Sequence, residues 1–181
     1  MNVAVSTETL EQRISRLEAI EAIKALKYRY WRACDGKDPD GFRASFVAIG
    51  ASIDFGEVGA FDDADGIANV YRAVALQKDG GQHVILDMHH GLHPDIRITS
   101  DTTAEGAWTL RFRQLNMRDL TEKVSAVEYD DAYVIEDGQW KVSKCHATVL
   151  WAVVRPLDPE ATVVENFSRQ VKPLNSAELL S

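Results

Sequence analysis

The chain has 181 residues, 45% of them hydrophobic, which suits one domain with a sizeable core. Its 28 acids outweigh 20 Lys and Arg for a net charge of -8, and the bases are scattered, which excludes a nucleic-acid partner and disfavours an anionic membrane surface. No apolar run approaches the roughly 18 residues of a membrane helix, and Met1 to Ser6 lack the basic start and apolar run of a signal peptide, so the cytoplasm is the expected location.

Residues 8 to 35 read as one long helix, with Leu10, Ile14, Leu17, Ile20, Ile23, Leu26 and Tyr30 recurring every three or four positions in a stripe expected to face the core. Thr9 followed by Gln12 forms a capping box, and Gly36 is placed to end the helix. Asp38 can cap a second helix that has Pro39 at its first position and Phe42, Phe46 and Val47 as its apolar face. Ala51 to Phe55 reads as a short strand and Gly56 to Phe61 as a loop. Asp62 or Asp63 then caps a third helix carrying Ile67, Val70, Tyr71, Val74 and Leu76, which Asp79-Gly80-Gly81 breaks.

From His83 the hydrophobic period changes to two. Strands are expected over 84–99, interrupted near Gly91 and Pro94, then over 104–117, 124–135 and 139–154, with turns at Ser100-Asp101 and Asp137-Gly138. A polar, proline-bearing tail follows, so the chain divides into one domain over 8–155 and a tail over 156–181. Helices first and an antiparallel meander afterwards predict an α+β fold, a cone-shaped curved sheet packed on three N-terminal helices with one open mouth. Such mouths hold pockets.

Two residues far apart in sequence can meet in that mouth. Asp35 closes the long helix, where an acid opposes the helix dipole and a purely structural design would prefer Lys or Arg. His89 lies in the run Asp87-Met88-His89-His90-Gly91-Leu92-His93. A carboxylate beside an imidazole fixes its tautomer and stabilises the imidazolium, which a proton-abstracting enzyme needs. Strand parity places His93 on the face of His89 and His90 on the other. Trp108, Leu110 and Phe112 share one face, Tyr129 and Tyr133 share a face of the next strand, and Phe55 ends the short strand. From these, Phe55, Trp108, Phe112, Tyr129 and His93 are the expected substrate-binding walls.

One of Asp130 and Asp131 must point inward, with Arg111, Arg113 or His146 as its candidate partner. Cys34 and Cys145 offer neither a disulfide framework nor a zinc spacing and read as buried free thiols. A metal would need three convergent ligands, and no HExxH or CxxC motif supports one, so neither metal nor cofactor is expected.

The segment Ile20-Glu21-Ala22-Ile23-Lys24-Ala25-Leu26-Lys27, with Tyr30 and then Cys34-Asp35-Gly36-Lys37, resembles the opening helix of SnoaL-like proteins in the nuclear transport factor 2 (NTF2-like) superfamily. Met88-His89-His90-Gly91, the strand from Thr102 to Trp108, and Glu136-Asp137-Gly138-Gln139-Trp140-Lys141-Val142 are similar to that family's second half, so the likeness spans about residues 12 to 152. It implies an NTF2-like α+β barrel around a pocket for a hydrophobic small molecule, in a homo-oligomer, dimer or trimer. In the family's dehydratases, those of bile acids and of scytalone, a helix-end Asp pairs with a strand His that removes a proton, and these positions match Asp35 and His89. Tyr30 matches a pocket tyrosine of the bile-acid enzymes. The chain departs from their pattern at Phe112 and Val149, where those enzymes carry an Asp and an Arg. It departs again at Trp108, which takes a histidine-bearing strand position of the scytalone enzymes.

The expected activity is that of a cofactor-independent lyase or isomerase on a polycyclic, steroid-like or aromatic molecule, with Asp35, His89 and Tyr30 as its catalytic residues. The alternatives are a non-catalytic small-molecule-binding protein and the small subunit of an aromatic-ring dioxygenase.

Overall fold

The structure is a computed structural model that describes residues 8–165. Helix α1 spans Leu10–Asp35. The Thr9 hydroxyl accepts from the Gln12 amide at 3.2 Å and the Gln12 side chain accepts from the Thr9 amide at 2.9 Å, which satisfies two of the N–H groups that a helix start leaves unpaired. Gly36 ends the helix by donating to the Arg32 carbonyl at 2.9 Å. Only the second half of the apolar stripe is covered. Ile23, Leu26, Tyr30, Trp31 and Cys34 are buried, whereas Leu10, Ile14 and Leu17 are exposed. A helix of 26 residues is about 39 Å long, and the sheet covers only its C-terminal part.

Helix α2, Pro39–Arg43, is capped by Asp38, whose carboxylate accepts from the Gly41 amide at 2.9 Å. Strands β1 (Ser52–Asp54) and β2 (Ala60–Phe61) flank a single 3-10 turn at Gly56–Val58, and Asp63 caps α3, Ala64–Ala75. The expected break at Asp79-Gly80-Gly81 is a small hairpin of β3 (Lys78–Asp79) and β4 (Gln82–His83), turning on Gly80 and Gly81 at φ 55° and 88°. The meander follows as β5 (Ile85–Ile98), β6 (Thr103–Asn116), β7 (Thr121–Glu136) and β8 (Gln139–Pro156). Of the expected tail, residues 166–181 lie outside the described residues.

Among the described residues the main sheet runs β2-β1-β8-β7-β6-β5, with β1 parallel to β8 and every other pair antiparallel. Helix α1 packs against both β5 and β8, strands that a flat sheet would hold about 14 Å apart. The sheet must therefore curl around the helix to touch it twice, and it does so without closing. No described helix is long and apolar enough to cross a membrane.

The inward acid of β7 is Asp131, fully buried, while Asp130 points outward to Lys144. The partner of Asp131 is none of the three expected from the sequence. It is Lys27 of α1, also fully buried, at 2.7 Å. Arg113 pairs with Glu122 and His146 with Ser52, while Arg111 is exposed. A basic residue on the apolar side of a helix gives no sequence sign of the strand acid it will meet. The Tyr133 hydroxyl donates to Asp131 at 2.6 Å, the Trp108 indole donates to Tyr133 at 2.8 Å, and the Lys27 ammonium lies 4.0 Å from the Tyr129 ring centre.

Candidate active site

The docking of α1 onto β5 begins at a glycine. Trp31 occupies the space where a side chain at position 91 would stand: a methyl group built on Gly91 would lie 1.8 Å from Cζ3 of the indole. Asp35 is one helical turn beyond Trp31 and His89 is two strand positions before Gly91, so this contact aligns the two polar residues on the same helix face and the same strand face. Among the described residues strand β5 is also the sheet edge, and no strand pairs with its outward amides. The His89 amide donates to both Asp35 oxygens at 3.1 Å, and the His89 ring meets the same carboxylate through Nδ1 at 2.5 Å. A carboxylate accepts only, so Nδ1 carries a proton, and in the neutral ring Nε2 is then the nitrogen with the free lone pair. The imidazole packs on Phe112, ring centres 4.8 Å apart.

His89 forms part of the wall of a cavity of about 320 Å³ between the concave sheet, α1 and α3. Tyr30, Phe55, Phe112 and Tyr129 line it, as do Val149 and the α3 residues Ile67, Val70 and Tyr71. Two expected wall residues lie elsewhere. Trp108 is buried beyond the cavity, edge-on to Trp31 at 5.3 Å, and Leu110 two positions along β6 supplies the wall instead. His93 is exposed and outside the cavity. The strand register shifts between Leu92 and Asp95, and His93 takes φ 50°, so parity with His89 is lost and its Nδ1 meets the Thr109 hydroxyl at 2.7 Å.

The other polar groups of the wall divide by whether they are already engaged. Asp87 is held by Lys37 at 3.1 Å and by Gln114 at 3.0 Å, and the Tyr71 hydroxyl donates to the Cys34 carbonyl at 2.5 Å. Tyr30 makes no hydrogen bond among the described residues, and burial pushes its phenol well above the usual range, so it remains a protonated donor. Burial does the same to Tyr129 and to the Cys34 thiol, which argues against a thiolate nucleophile. Sequence reasoning missed Lys123 and Ser125 in the wall, although both share the strand parity of Tyr129. No group of three or more His, Cys, Asp or Glu among the described residues is placed to hold a metal ion.

Comparison with curated proteins finds no match. Among solved structures, a candidate scytalone dehydratase from Novosphingobium aromaticivorans DSM 12444 is similar, with TM-score 0.69 and 18% identity over 84% of this chain and 99% of that one. The hexachlorocyclohexane dehydrochlorinase LinA-type3 from Novosphingobium barchaimii LL02 has TM-score 0.69 and 16% identity over 85% of this chain and 99% of its own. ActVI-ORFA from Streptomyces coelicolor has TM-score 0.59 and 16% identity over 74% and 98%. At such identities the likeness shows the NTF2-like fold alone. The model of the SnoaL-like domain matches residues 15–146, most of the described chain, and the protein therefore belongs to the SnoaL-like family.

Proposed function

We propose that this protein is a lyase or isomerase that removes a proton from a hydrophobic small molecule, with His89 as the base. The observation that carries the reading is the Asp35 to His89 contact opening on an apolar cavity. Nε2 takes a proton from a carbon next to a carbonyl, Asp35 orients the ring and stabilises the imidazolium, and the Tyr30 hydroxyl donates to the developing enolate oxygen. The electron pair left on carbon then either expels a group from the neighbouring carbon or is reprotonated elsewhere. The names of two similar structures, a dehydratase and a dehydrochlorinase, describe eliminations of this kind and support the reading. Phe112 and Val149 in the wall offer a leaving group nothing to bond to, so any help to its departure comes from other residues of the cavity.

The test is deuterium exchange at the acidic carbons of bicyclic and steroidal ketones in heavy water. Wild-type protein should accelerate exchange, and the folded His89→Ala variant should not. Ketones that bind without exchange would leave a binding protein in place of an enzyme. Assembly of copies belongs to the same reading: it would cover the apolar side chains that β8 exposes, among them Trp151 at 57% and Val153 at 54%, and sedimentation equilibrium measures it.

A further inference from the structure

Two wall residues have no task in that mechanism. Ser125 is 1% exposed, and its hydroxyl has no hydrogen-bond partner among the described residues. A buried, unpartnered hydroxyl is costly and uncommon, because serine readily bonds to nearby backbone. Lys123 stands two positions earlier on the same face of β7, half-buried in the wall, and makes no ion pair among the described residues. Neighbouring acids do not neutralise it. Asp87 is engaged by Lys37 and Gln114, and Glu122, on the other face of β7, is engaged by Arg113 and Arg155.

We infer that Lys123 and Ser125 form an anion-binding end of the cavity that takes a carboxylate carried by the hydrophobic substrate. The inference rests on the cavity being the substrate site. An ammonium and a hydroxyl on one strand face supply a charge-assisted and a neutral donor to the two oxygens of one carboxylate. The strand register sets the substrate's length. His89 is paired with Phe112, and Phe112 with Ser125, so the backbone positions that carry base and hydroxyl stand two strand spacings apart, roughly 10 Å. Allowing a contact of about 3 Å at either end leaves about 4 Å between the bound oxygen and the carbon that loses its proton. The reacting carbon therefore lies within one ring of the carboxylate, and that ring rests on Phe112. The substrate class is a carbocyclic or aromatic acid activated on the ring that bears the acid group.

Calorimetry with 2-naphthoate and its neutral isostere 2-naphthamide at neutral pH tests this. Wild-type protein should bind the carboxylate at least about tenfold more tightly than the amide, the advantage of a charged over a neutral hydrogen bond. Lys123→Met and Lys123→Gln should abolish the preference, and Ser125→Ala should reduce it by about threefold. Equal affinities in the wild type, no detectable naphthoate binding, or a preference that survives both Lys123 variants would overturn the inference. His89→Ala should keep the preference. A carboxylate preference without ketone exchange would remove the proposed base and leave the anion end standing, whereas exchange without the preference would do the reverse.

Discussion

Gly91→Ala probes the contact that aligns the site. The added methyl would sit 1.8, 2.2 and 2.6 Å from three carbons of the Trp31 ring, where ordinary contact begins near 3.4 Å. The ring edge must therefore retreat by at least about 1.6 Å. Trp31 cannot simply rotate away, because Trp108 and Tyr129 pack edge-on against it at 5.3 and 6.0 Å. The shift passes instead to the last turns of α1, and a comparable displacement of Asp35 stretches the 2.5 Å contact to His89 toward 4 Å, outside hydrogen-bond range. Overpacking of this kind costs about 3 kcal/mol, which lowers the melting temperature by roughly 6 to 12 °C in a chain of this size. A misplacement on the order of 1 Å should lower the ketone exchange rate about a hundredfold. Thermal unfolding and exchange are measured on Gly91→Ala, Trp31→Leu and the double variant, in which the smaller side chain returns the space and part of both losses. A Gly91→Ala protein within about 0.5 kcal/mol of wild type and equally active would refute the claim that this glycine sets the docking of α1.

Asp35→Asn keeps the shape of the side chain and removes the charge that fixes the imidazole tautomer, so exchange should fall at least about a hundredfold while the melting temperature changes little; unchanged rates would leave Asp35 without a role in the reaction. Lys27→Met strands Asp131 without its counter-ion in the core and should cost about 3 to 5 kcal/mol in urea unfolding, whereas the Lys27→Met, Asp131→Leu pair should recover most of it. Equal losses in single and double variants would locate the stability elsewhere. Hydrogen bonds from Arg113 and Arg155 hold Glu122 below the usual carboxylate range. Its contribution to stability is complete above that range and is lost as pH falls through it toward the lower native value. Glu122→Gln should accordingly flatten the acid limb of the stability curve, and an unchanged limb would show that the two arginines do not couple Glu122 to folding.

What sequence determined here is what nearest neighbours along the chain determine. The bounds of α1 follow from Thr9, Gln12 and Gly36, because a capping box and a C-terminal glycine are local hydrogen-bond and dihedral preferences. The long strands follow from the period-two pattern, and the turn at Asp137-Gly138 from positive φ at both residues, 51° and 73°. The same pattern places Lys123, Ser125 and Tyr129 on one face of β7, so two wall residues were legible and passed over because neither belongs to a recognised motif.

Tertiary structure alone decided the rest, because those contacts join residues whose local sequences carry no information about each other. Lys27 meets Asp131 across 104 positions, and helix periodicity could mark Lys27 only as a charged residue on an apolar face. His93 leaves the cavity because a register shift overrides strand parity, and parity holds only as long as the pairing is regular. Trp108 does not reach the cavity because the Tyr28 and Trp31 rings of α1 pack edge-on over it at 6.0 and 5.3 Å, a contact between segments far apart in the chain. Asp35 and His89 stand between the two cases. Each was legible as a polar residue at a telling position, yet they touch because β5 is the sheet edge among the described residues, with outward amides that no strand pairs, and Gly91 leaves room for Trp31, conditions set only when helix and sheet pack.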